Sequence, residues 1–165
     1  MIEIPRITAP TPRLQYNMLE VDFYEIPEEF KSLPQWVNWK FEPREQGGKP
    51  TKILYSPLTG KRAKSTDPDT WATFKEARVA YERGGYSGVG YVFIDDDRMV
   101  GIDLDKCRDS LTGRVEPWAA EILTMFDETY CEISPSGTGF KIWAFGAIPG
   151  PRRRTGKIEL YENGR

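Results

Sequence analysis

Six residues near the middle of the chain, Val100-Gly101-Ile102-Asp103-Leu104-Asp105, carry two carboxylates in an otherwise apolar stretch. The composition predicts a strand. Alternation then turns Ile102 and Leu104 one way and Asp103 and Asp105 the other. The two acids stand roughly 6–7 Å apart at Cα, with Gly101 leaving space beside them. Like charges at that spacing are unfavourable unless solvent or a cation compensates. Hard oxygen ligands of this kind suit Mg2+ or Mn2+. Aspartate is also a poor strand former, which makes the pair less casual than surface decoration. Further along, "KIELYE" turns Ile158 and Leu160 to one face and Glu159 to the other. On a neighbouring strand, Glu159 would complete a three-carboxylate cluster, the usual equipment of two-metal phosphoryl transfer. Taken singly, each of these acids reads as an ordinary exposed side chain.

Between the two strands lies "SPSGTGFK", residues 134–141. Gly137 and Gly139 allow a sharp turn that aims backbone N–H groups at an anion. Ser136 and Thr138 add hydroxyls, and Lys141 adds a full positive charge. It is not a Walker loop, since no GxxxxGK[ST] is present, and alone it reads as a hairpin turn. The "GYSGVG" at residues 85–90 follows a helix and precedes a strand, the wrong order for dinucleotide binding.

The chain has 165 residues and no histidine. That length suits one domain with a real core. Without histidine, Ser-His-Asp and Cys-His nucleophilic systems and histidine-ligated zinc are excluded. Cys107 and Cys131 lack CxxC spacing, which argues against a disulfide framework or a zinc site. No apolar run approaches the roughly 20 residues of a membrane helix. Acids and prolines stand where a signal peptide would be apolar, so a cytoplasmic protein with no membrane partner is expected. Net charge is only −2, yet the basic residues cluster. Lys49, Lys52, Lys61, Arg62 and Lys64 form one group, and Arg152, Arg153, Arg154 and Lys157 another. Two such groups suggest local polyanion contact, although each alone reads as a solvated loop.

The elements that must position these groups follow from periodicity. Residues 1–26 are rich in Pro and Thr and predict an extended N-terminal arm. The folded part is expected over 27–165, beginning with a short helical turn through Phe30. "QWVNWKF" and "TKILYS" predict strands, the second closed by the turn Pro57-Leu58-Thr59-Gly60. "STDPDTWATFKEARVAYERGG" predicts a helix capped by Asp67, with Pro68 at its first position and Trp71, Phe74, Ala77 and Tyr81 on its apolar face. "GVGYVFI" and "MVGIDLD" predict a hairpin around Asp95–Arg98. A helix after Pro117 presents Trp118, Ile122, Met125 and Phe126, and "TYCEIS", "FKIWAF" and "KIELYE" predict three further strands. This order points to an α+β fold, a two-layer mixed or antiparallel sheet with helices.

Taken in order, these motifs resemble the archaeo-eukaryotic primase superfamily. The closest likeness is to the bifunctional primase/polymerase (prim-pol) N-terminal domain of phage, plasmid and mobile-element replication proteins. The resemblance runs from about Pro27 to Arg165. It is carried by "WVNWKFEPREQGGKPTKILYSPLTGKRAKSTDPDTWATF", "GIDLDKCRD", "EISPSGTGFKIW" and "GKIELYENGR". It implies a prim-pol architecture with an RRM-like core and a template-directed nucleotidyltransferase that releases pyrophosphate. Asp103, Asp105 and Glu159 would hold two ions, Mg2+ or Mn2+. Ser136, Gly137, Thr138, Gly139, Lys141 and Arg165 would hold a nucleoside triphosphate. Lys52, Arg62, Arg152, Arg153 and Arg154 would track a single-stranded DNA template. The family usually has histidine where this chain has Lys141, which remains cationic but differs in geometry. Relatives also continue past Arg165 with another strand, and often with a helicase domain. That implies a C-terminally shortened domain with the Glu159 strand at an exposed edge. Two other readings stay open: a nucleotide or single-strand binding module with little or no turnover, and a metal-dependent nuclease.

Overall fold

A computed structural model describes residues 18–44, 47–48, 50–150 and 153–164, and among these described residues are two antiparallel sheets and three short α-helices. The helices are α1 (Glu28–Lys31), α2 (Phe74–Glu82) and α3 (Pro117–Met125). The smaller sheet has β1 (Trp36–Glu42) at its centre, flanked by β2 (Thr51–Tyr55) and β3 (Gly88–Tyr91). The larger sheet contains β4 (Met99–Leu104), β5 (Tyr130–Ile133), β6 (Phe140–Phe145), β7 (Arg154–Thr155) and β8 (Ile158–Tyr161), in the order β5-β6-β4-β8-β7. This is the expected α+β class. Residues 1–17 of the expected arm, with Lys49, Arg152 and Arg165, lie outside the described residues.

Alternation gives the larger sheet two unlike faces. Ile102 and Leu104 of β4, with Phe140 and Ile142 of β6, pack against Ala119, Trp118, Ile122 and Phe126 of the α3 region. Met125, expected on that apolar face, is instead 77% exposed. Leu123 takes a packed position beside Ile122 and Phe126, and Met125 falls off that face. The opposite face of β4 and β6 meets an aromatic cluster of Phe30, Trp36, Tyr91, Phe93, Trp143 and Tyr161. Phe23 and Ile26 are buried in the same cluster, so the core reaches back past Pro27.

Three local expectations are corrected. Strands β3 and β4 do not form a hairpin. β3 pairs with β1 in the smaller sheet, and β4 with β6 and β8 in the larger. The chain changes sheets at the Asp95–Asp97 turn, pinned by the Asp97 carboxylate. That group accepts from Gln35 Nε2 at 3.0 Å, the Tyr91 hydroxyl at 2.9 Å and the amides of Ile94 and Met99 at 3.2 and 2.8 Å. Arg98 then leaves in a left-handed conformation, φ 51°.

The long helix expected from Asp67 is also broken. Pro68–Thr70 is a single 3-10 turn, Ala72 bridges to Trp36 of β1, and α2 starts only at Phe74. Thr73 and Glu76 form a reciprocal capping box there, which supplies the start signal that Asp67 does not. Trp71 therefore leaves the helical face and is buried with Val37 and Val92. Finally, β8 is not an edge strand among the described residues, because β7 pairs along its outer side. Arg154, grouped above with a solvated loop, belongs to that outer strand.

Candidate active site

The register of the larger sheet lines up five ionisable side chains, one per strand. Glu132 of β5 is opposite Lys141 of β6, which is opposite Asp103 of β4. Asp103 is opposite Glu159 of β8, and Glu159 is opposite Arg154 of β7. Directly opposed residues share a face and stand close, about 4.5–5.5 Å apart. Asp103 and Glu159 are thus immediate neighbours, as the sequence pattern anticipated. Asp105 follows two residues on, and its amide continues the ladder to Lys157 O at 2.8 Å.

Protein cations hold two of these acids. The Lys141 ammonium lies 2.8 Å from Asp103 Oδ2. The Arg154 guanidinium lies 3.8 Å from Asp105 Oδ2. In the adjacent row the β8 residue is Tyr161, opposite Gly101. The space beside the aspartates is therefore filled: a Cβ on Gly101 would fall 2.6 Å from Tyr161 Cζ. The same ring sits 5.9 Å from the Lys141 ammonium.

The 134–141 loop is positioned by a second close approach. A Cβ on Gly139 would collide with the backbone carbonyl of Leu104 at the end of β4, so only glycine lets the loop lie against that strand. The Thr138 carbonyl accepts from the amides of Cys107 and Arg108 at 2.9 and 3.0 Å. Inside the loop, Gly137 N donates to Ser134 O at 2.8 Å and Gly139 N to Ser134 Oγ at 3.1 Å. The glycine amides expected to grip an anion are thus satisfied internally. The linked hydroxyls of Ser136 and Thr138, 2.7 Å apart, are the groups the loop offers instead.

A cleft of about 920 Å3 runs between the sheets, with Asp103, Lys141, Glu132 and Tyr161 on one wall and Trp39 and Lys52 on the other. Lys52 extends over the Trp39 indole, 4.3 Å from its ring centre. The crowded cleft walls, and next the Lys141 charge, push the Lys52 ammonium down to about 8. The residue remains exposed along its length, so water moderates that shift. Burial raises the Glu132 carboxyl, against hydrogen bonding from the Tyr130 hydroxyl at 3.0 Å and the pull of Lys141. Burial would lower Lys141, but the Tyr161 oxygen and the Asp103 carboxylate outweigh it and the net shift is upward.

Residues that sequence grouped together are separated here. Arg62 bridges to Tyr55 and pairs with Glu42 at 2.8 Å, on the face of the smaller sheet opposite Trp39 and Lys52. Arg153 is held by Glu162 at 2.6 Å. Glu132 was missed, although "TYCEIS" and "FKIWAF" paired as a hairpin would place it beside Lys141. Among the described residues, no three acidic or thiol side chains converge closely enough to hold a metal ion as they stand. The donor chemistry of Asp103, Asp105 and Glu159 nevertheless fits a hard divalent ion, since each would offer carboxylate oxygens.

No protein-family model matches the chain. In an alignment 149 positions long that covers 86% of this chain, it is 38% identical to a protein of Nitratiruptor phage NrS-1 named DNA primase-polymerase. The match covers 20% of that relative, so this chain spans about a fifth of its length. Identity at this level along most of the chain, with the acidic strands and the glycine loop in the expected order, supports a primase-polymerase family assignment for this segment.

Proposed function

We propose that this domain carries the nucleotidyl-transfer site of a DNA primase-polymerase. It would add nucleotides to an end paired with a single-stranded DNA template and release pyrophosphate. The observation that supports this most is the cross-strand row: Asp103, with Glu159 as its register partner on β8, lies on the cleft wall with Lys141 on its other side and Lys52 opposite. Asp103, Asp105 and Glu159 would hold Mg2+ or Mn2+. When bound, such ions neutralise charge developing on the attacking and leaving oxygens. Lys52 and Lys141 bring two positive charges into the cleft for a triphosphate. Trp39 and Tyr161 offer aromatic surface beside those charges.

A second reading, a nucleotide-binding module with little turnover, is favoured by the Lys141–Asp103 and Arg154–Asp105 pairs. They place protein cations where the ions would sit. One assay separates the two: purified protein, a single-stranded template, Mn2+ and labelled nucleoside triphosphates. Extended products that vanish in Asp103→Ala support transfer. Nucleotide binding without products supports the module. Shortened template strands would instead indicate metal-dependent nuclease action.

A further inference from the structure

Lys141 stands between two carboxylates, since both Asp103 and Glu132 are its register partners, one on each neighbouring strand. Sheet geometry puts each acid about 5 Å away at Cα on the same face. The ammonium now rests on Asp103 at 2.8 Å. On its other side, Glu132 faces the cleft and is oriented by the Tyr130 hydroxyl at 3.0 Å. Lys52 also points a positive charge at this wall from across the cleft, so a displaced Lys141 is repelled from the cleft and attracted along the sheet. Lysine has four rotatable side-chain bonds, so a move of that size needs no change of backbone.

We propose that Glu132 is a positioning residue: it receives the Lys141 ammonium when a divalent cation takes Lys141's place on Asp103. Lys141 is then a placeholder that stabilises the acidic row through its pair with Asp103. Glu132 lowers the cost of vacating it. This inference rests on the reading of Asp103 as a cation ligand given above.

The test is Mn2+ affinity of the whole chain, read from the electron paramagnetic resonance of free Mn2+ without substrate or turnover. Lys141→Met removes the competing cation and is expected to tighten Mn2+ binding about fivefold. Glu132→Gln, nearly isosteric, is expected to weaken it about threefold, because Lys141 loses its second partner. In the Lys141→Met background, Glu132→Gln is expected to change affinity by less than about 1.5-fold, since Glu132 acts through Lys141. An equal Glu132→Gln effect in both backgrounds makes Glu132 a plain nearby charge and overturns the inference. So does Mn2+ binding that is lost in Asp103→Ala but unaffected by Lys141→Met, and in that case the metal-site reading survives. Binding that Asp103→Ala leaves unchanged overturns both.

Discussion

Replacing Gly101 by alanine sets two effects of opposite sign against each other. In an unobstructed strand, the change stabilises by about 0.5–1 kcal/mol, because glycine loses more backbone freedom on folding. Here the new methyl enters the Tyr161 ring, 2.6 Å from Cζ and 2.7 Å from Cδ2. Carbon atoms prefer separations of about 3.5–4.0 Å, and Tyr161 Cε2 lies closer still, so the ring must retreat by more than about an ångström. Its retreat is restricted, since Tyr161 packs edge-on against Phe93 with ring centres 5.2 Å apart. Overpacking of this kind costs about 1–3 kcal/mol. The net expectation is a loss of about 1–2 kcal/mol, a fall in Tm of roughly 3–6 °C for a chain of this size. Thermal unfolding followed by circular dichroism measures it. In a Tyr161→Ala background the collision is gone, and Gly101→Ala should become neutral or mildly stabilising. An unchanged or raised Tm in the native background would refute the reasoning. So would the same penalty in both backgrounds.

Three other outcomes follow from the same geometry. Gly139→Ala drives a methyl into the Leu104 carbonyl, a backbone atom within β4 that cannot rotate away. It should cost about 2 kcal/mol and weaken nucleotide binding, both measurable by denaturant titration and fluorescence. Crowding by the cleft walls, and next the Lys141 charge, push the Lys52 ammonium down towards about 8, moderated by its exposure, and bound phosphate favours the charged form. Nucleotide affinity should therefore fall as pH rises through about 8, and Lys52→Arg, which stays charged, should flatten that fall in calorimetric titrations. Cys131 is exposed while Cys107 is buried. A thiol reagent should label Cys131 in the native protein, slowly because burial, and next Glu132, push its thiol up to about 11, and should reach Cys107 only on unfolding.

Alternation along single strands was legible without any structure, because a period of two is written into each segment. "VGIDLD" and "KIELYE" alone assign Asp103, Asp105 and Glu159 to faces opposite their apolar neighbours, and that parity survives into β4 and β8. The same logic finds β1, β2, β5 and β6. The capping box of α2 was also present in the letters Thr73 to Glu76, but Asp67-Pro68 offered a competing start. The bridge between Ala72 and Trp36, a tertiary contact, decided between them.

Which strand lies beside which is a different kind of fact. Nothing local to "GVGYVFI" says that it pairs with β1 and not with the strand that follows it. That choice depends on Gln35, distant in sequence, meeting Asp97 and Tyr91 at the turn. The basic residues behave likewise, since a count of lysines and arginines carries no parity between elements. Lys52 and Arg62 look alike in the chain, yet the pairing of β2 with β1 sends one into the cleft and the other to the far face. By itself, then, the sequence determined the acids and the face each occupies, through a repeat that spans two residues. Only the tertiary structure decided that Lys141 stands between Glu132 and Asp103, because register between strands is set by contacts that no single segment contains.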